Sequence, residues 1–167
     1  MQGTLVSALR AQRPQVHGRW EDLLRVERAN TPLANPDALV HLIDWTLDEI
    51  FRTLEHLPSR RRPLRPPAVA FCPCGRNPLL LYFAAGEQAL QESLVLAQAA
   101  IAHLGPIERD VALTELNLVI HQIARREIEA FCGVCQHRAD ALRQVETDHP
   151  NNSAAGSVLI AGTRDHR

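Results

Sequence analysis

The four cysteines of the chain come as two close pairs, Cys72-Pro73-Cys74-Gly75 and Cys132-Gly133-Val134-Cys135. On a helix, the spacing of the second pair puts both sulfurs on neighbouring parts of one face. Two thiolates so placed can grip one tetrahedral ion, with zinc–sulfur bonds of about 2.3 Å. The first pair is tighter, and its proline and glycine shape a sharp loop that presents both sulfurs to one side. Cys72, Cys74, Cys132 and Cys135 are therefore expected to share one metal ion, zinc as first choice and an iron–sulfur cluster as second. The pattern is not the C-x2-C…C-x2-C of a zinc ribbon, and two other readings stand beside it. Thiolates near a helix N-terminus are activated for exchange, so either pair could act as a thiol–disulfide couple. Cysteine is also a common small core residue.

A shared site requires the two pairs to meet, and helix lengths provide for it. Asn77 is a good N-cap and Pro78 suits the first helical position, so a third helix is predicted from there to about Leu104. Gly105-Pro106 ends it and turns the chain. A long last helix then runs from about Ile107 to Val145. Pro78 to Leu104 is 27 residues, about 40 Å at 1.5 Å per residue. Ile107 to Cys132 is 26 residues, nearly the same length back. An antiparallel hairpin of these helices sets Cys132 level with the start of the third helix, beside Cys74.

Other ionisable residues offer less. His121 projects in nearly the direction of Cys132 but lies about 16 Å away along the helix, too far to share an ion. His137 points to another side. Glu127 shares a stripe with Leu116, Ile120, Ile123 and Val134, where a carboxylate needs a partner. It is expected to be buried and paired with an arginine, Arg76 being one candidate. His41 and Asp44 share a helix face, a weak hint of a second metal. Glu-x-x-His, as used in di-iron bundles, occurs only at Glu146 to His149. H-E-x-x-H, G-x-S-x-G and G-x-G-x-x-G are absent. All 18 basic residues are arginine. Walker-type phosphate loops, Schiff-base enzymes and pyridoxal enzymes, which need lysine, are thereby excluded.

The remaining elements are helical too, with no convincing alternating strand. A first segment, roughly Thr4 to Arg28, is interrupted at Pro14 and places Trp20, Leu23 and Leu24 on one face. Asn35-Pro36-Asp37 starts a second helix. Its stripe is Leu39, Leu42, Ile43, Leu47, Ile50, Leu54 and Leu57. Residues 58–71 form a proline- and arginine-rich connector that cannot continue a helix. Its arginines could touch phosphate or an acidic partner, but a solvated linker is the better reading. The last helix draws its apolar side from Leu113, Leu116, Ile120, Ile123, Val134 and Leu142. The expected fold is all-α, an antiparallel helical bundle of about four helices over residues 1–148, with a loosely ordered tail at 149–167.

The chain of 167 residues, with 46% hydrophobic and 22% charged residues, has the composition of one globular domain. A net charge of -1 leaves no nucleic-acid footprint. No signal-like or membrane-length apolar run is present, which places the expected home in a reducing cytoplasm, where paired cysteines read as metal-binding or redox-active. These features point to a non-enzymatic regulatory or sensory module with a four-cysteine zinc site, structural or responsive to metal or oxidant. A thiol–disulfide oxidoreductase or redox switch is one rival. An adaptor whose helix face or arginine connector binds another protein is a second. The expected partner is another protein rather than membrane or nucleic acid, with homo-oligomers possible.

Overall fold

The computed structural model describes residues 3–26, 35–57, 72 and 75–135. The connector 58–71, Cys74, His137 and the tail 149–167 lie outside the described residues. Those described are helical, with turns between and no strand among them. Five helices of nine residues or more and one short one follow in order, more than the four expected. They are α1 (Gly3–Ala11), α2 (Arg13–Val26), α3 (Pro36–Val40), α4 (Ile43–His56), α5 (Pro78–Ala99) and α6 (Pro106–Val134).

Two breaks account for the additional helices. The first segment divides at Gln12 rather than at Pro14. The Gln12 carbonyl already accepts from Val16 N at 3.0 Å, opening α2, and Pro14 stands in its first turn. A proline there lacks only an N–H that the helix would leave unpaired. The second break falls at His41 and Leu42, which form a turn between α3 and α4. Asn35 does cap α3, its side-chain oxygen accepting from Asp37 N at 3.0 Å. Leu42, expected in the buried stripe, is exposed, whereas Leu39, Ile43, Leu47, Ile50 and Leu54 are buried.

Helix α5 is the centre of the molecule. It packs against α1, α2 and α6, while α4 closes on α1, α2 and α6. Tyr82, Phe83, Ala85, Gly86, Ala89, Leu90, Ser93, Leu94 and Ala97 are all buried along it, so more than one face of the helix is covered. Trp20 of α2 is the largest fully buried side chain. Its indole N–H donates to the Tyr82 carbonyl at 2.9 Å, and its ring lies 4.8 Å from the Tyr82 ring, centroid to centroid. Gly86 makes this approach possible. A β-carbon there would stand 2.1 to 2.5 Å from three atoms of the indole.

Thr46 of α4 completes the buried polar contact. Its hydroxyl donates to the Leu42 carbonyl at 2.9 Å, so the Tyr82 hydroxyl, 2.8 Å away, donates to Thr46 Oγ1. Burial pushes the Tyr82 phenol well above its ordinary value of 10.0. The neutral phenol is thus the form the fold favours. Its contribution is fully present below the unfolded value and is lost as pH rises toward the folded one. Tyr82→Phe is expected to cost about 1 kcal/mol at neutral pH and to reduce the loss of stability above about pH 10. Urea melts of both proteins at pH 7 and pH 10.5 check this. An identical alkaline loss in the variant contradicts it.

Salt bridges lie at the periphery. Arg13 binds Asp44 and Asp48 of α4, and Arg19 meets Glu92 of α5 at 2.8 Å. The Arg13 guanidinium lowers the Asp48 carboxyl, and Arg19 lowers that of Glu92. All are substantially exposed, so solvent screening leaves each pair a minor contributor. Among the described residues, no helix is long and apolar enough to cross a membrane.

Candidate functional site: the cysteine end of the α5–α6 hairpin

Helices α5 and α6 form an antiparallel hairpin whose side-chain bonds run in register along its length. Gly105 opens α6, its N–H donating to Glu108 Oε2 at 2.8 Å. From there Gln98 Nε2 donates to the Arg109 carbonyl at 3.1 Å. Gln91 Nε2 donates to Asn117 Oδ1 at 3.0 Å, and His121 Nε2 meets Glu87 Oε1 at 3.1 Å. At the far end Asn77 reaches Ile128 and Cys132. Cys132 thus lies level with the start of α5, as the hairpin reading expects, although the two helices are unequal, 22 and 29 residues long. The third helix stops at Ala99 rather than Leu104, and residues 101–105 make the turn.

Around Cys132 the structure is tight. Cys132 and Cys72 are both buried, 7% and 3% exposed. Gly75 N–H donates to the Cys72 carbonyl at 3.0 Å, and Gly75 has φ of 63°. Glycine adopts this left-handed conformation without the β-carbon penalty of other residues, so the glycine of the CPCG sequence is what lets the chain fold back over Cys72. Two residues later Asn77, 4% exposed, begins α5. Its Oδ1 accepts from Leu79 N at 3.0 Å, while its Nδ2 lies 3.2 Å from the Ile128 carbonyl and 3.5 Å from Cys132 Sγ. The sequence marks Asn77 as a cap; its second role, toward a cysteine 55 positions later, has no local signal.

Cys135 corrects one expectation. It stands just beyond α6 as the C-cap, with φ −73° and ψ 120°, and is half-buried. The second pair therefore straddles the helix end instead of lying on one helical face. Cys72, Cys132 and Cys135 are thiols, and Cys74 lies outside the described residues. Among the described residues, no three or more histidine, cysteine, aspartate or glutamate side chains are grouped closely enough to hold a metal ion.

The other candidates are placed elsewhere. His121 is held by Glu87, partway along the hairpin. Asp44 is bound by Arg13 rather than joined to His41, which is exposed. Glu127 is half-buried and pairs with the adjacent Arg126 at 2.9 Å, not with Arg76. The reason is the phase of α6. Its buried stripe is Ala112, Leu116, Val119, Ile120, Ile123, Ala124, Ile128 and Cys132. Leu113 and Val134, both expected inside, are 38% and 80% exposed, and Glu127 sits at the edge of the stripe. No protein-family model matches this chain, and neither a curated protein nor a solved structure matches it.

Proposed function

We propose that the chain is a non-enzymatic regulatory or sensory module of a reducing compartment, a helical bundle in which Cys72, Cys74, Cys132 and Cys135 hold one zinc ion. An iron–sulfur cluster is the second choice of metal, and another protein is the expected partner. The observation that carries this reading is the 3.5 Å contact between Asn77 Nδ2 and Cys132 Sγ. It fastens the end of α6 to the residue that begins α5, five positions after Cys72. The Gly75 turn supports the same reading, because it folds the backbone over Cys72 just ahead of that contact.

A metal here would clip the segment before α5 to the end of α6. Ion binding would draw in Cys135 from its place at the helix terminus. Thiolate ligands are also the groups through which metal level or oxidant would be sensed, since oxidation to a disulfide releases the ion. Elemental analysis of protein purified under reducing conditions tests the reading, with close to one zinc per chain as the expected result. Metal-free protein that instead forms a reversible disulfide would transfer the assignment to a thiol–disulfide switch.

A further inference from the structure

Helix α4 covers only part of α6. Arg126 of α6 meets Glu49 of α4, and His56, the last residue of α4, shares a groove with Gln122. The first half of α6 runs on past that end, and two of its aliphatic side chains stay in solvent, Ile107 at 78% and Val111 at 49% exposure. Between this stretch and α1 lies a cavity of about 120 Å³. Leu5 of α1, Leu104 of the turn and Ala112 of α6, all buried, line it together with Ile107 and Val111.

The charged part of the lining is acidic only, Glu108 and Glu115, with no basic side chain among the lining residues. Arg109, the neighbouring base, instead donates from Nε to the Leu104 carbonyl at 3.2 Å. Glu108 and Glu115 are seven positions apart, two helical turns, so they share one face about 10 Å apart along the axis. Val111 and Ala112 lie between them on that face. The wall is thus an aliphatic strip with a carboxylate at each end. Glu108 Oε2 accepts from Gly105 N–H at 2.8 Å, but a carboxylate has about four acceptor directions, so the cap does not exhaust it. Glu115 is half-buried, with Oε2 shut off from solvent, and a cation beside it gains more than one in open water.

We propose that this cavity binds a linear aliphatic diamine, its methylene chain on Leu5, Val111 and Ala112 and its two ammonium groups on Glu108 and Glu115. Size sets the chain: an apolar cavity of about 150 Å³ takes benzene, so this one takes about four to six carbons. Charge-assisted bonds of about 2.8 Å at both ends add to that length, which lets so short a diamine span carboxylates two turns apart. An anionic ligand would meet two like charges, and a neutral chain would gain nothing from either glutamate. The site lies at the opposite end of the hairpin from the cysteines and does not rest on the zinc reading.

Backbone amide NMR of the full chain, titrated with 1,5-diaminopentane, tests it. The expected result is saturable shifts confined to the start of α1 and residues 104–115, with one diamine per chain. 1-Aminopentane keeps one charge-assisted bond of the two and is expected to bind about tenfold more weakly; 1,5-pentanediol is expected not to bind. Glu108→Gln, which keeps an oxygen for the Gly105 cap, and Glu115→Gln should each weaken the diamine about tenfold, to the level of the monoamine. Val111→Arg sets a fixed cation on the strip at an exposed position and should abolish binding with helical circular dichroism retained. Shifts that never saturate, or that scatter to other acidic positions such as Asp44 and Glu92, overturn the proposal. Wild-type affinity in both glutamine variants, or equal affinity for diamine and diol, overturns it too. Should Glu115→Gln fail to fold, Glu108→Gln and Val111→Arg decide by the same titration.

Discussion

Gly86→Ala is expected to destabilise the protein by about 3 kcal/mol, the upper end of what overpacking a tight core costs. A β-carbon at Gly86 would meet three atoms of the Trp20 indole at 2.1, 2.4 and 2.5 Å, and the indole has nowhere to go. It is fully buried, packed at a tilt against the Tyr82 ring and bonded through Nε1 to the Tyr82 carbonyl. The regular helix pairs that same carbonyl with the N–H of Gly86, so the indole lies across the very turn in which the glycine sits. Without this contact the substitution would help, because alanine is better than glycine in a helix interior by about 1 kcal/mol. The sign should therefore depend on Trp20. In a Trp20→Leu background, which lacks the three ring atoms, Gly86→Ala is expected to be neutral or stabilising. Urea melts of the four proteins in this cycle measure the coupling. Equal destabilisation in both backgrounds would show that the contact is not what the glycine serves.

This contact also marks where the sequence stops being informative. The starts of α3, α5 and α6 were legible because Asn35, Asn77 and Gly105-Pro106 carry their reasons locally, as side-chain caps and a proline in the first turn. The pairing of α5 with α6 was legible for a different reason. A short turn between two long helices favours an antiparallel arrangement, and it brings Cys132 to Asn77. Trp20 against Gly86 had no such local reason. A glycine inside a helical run hints at close packing, yet the residue it accommodates is 66 positions earlier.

The phase of α6 was misread because Leu113 and Val134 were counted by residue type. Ala112, Ala124 and Val119 occupy the buried stripe in their place. Alanine at a close helix–helix contact looks neutral in a hydrophobicity pattern. Glu127 followed from the same error. Of the candidate site, the placement of Cys132 at one end of the hairpin, beside the start of α5, was legible. The role of Asn77 toward sulfur, and the placement of Cys135 past the helix end, depend on tertiary geometry that spacing alone does not carry.

The second large effect concerns the metal. If zinc binds the folded chain and not the unfolded one, its binding energy is added to folding energy. At a free zinc level about a thousand times the dissociation constant, this amounts to about 4 kcal/mol. For a domain of this size, about 10 °C in melting temperature corresponds to that energy. Cys132 is the thiol to remove. It is buried in the last turn of α6 and touches the amide that begins α5, so its loss takes a ligand from the point where the hairpin closes.

Thermal melts of wild-type protein and of Cys132→Ser, each under reducing conditions with zinc and with excess chelator, test the shared metal site most directly. The account predicts a wild-type transition about 10 °C higher with zinc than with chelator. It also predicts a Cys132→Ser transition that chelator does not move and that lies near the chelated wild type. A wild-type transition unmoved by chelator, with Cys132→Ser melting beside it, would contradict the claim that these cysteines share a stabilising ion.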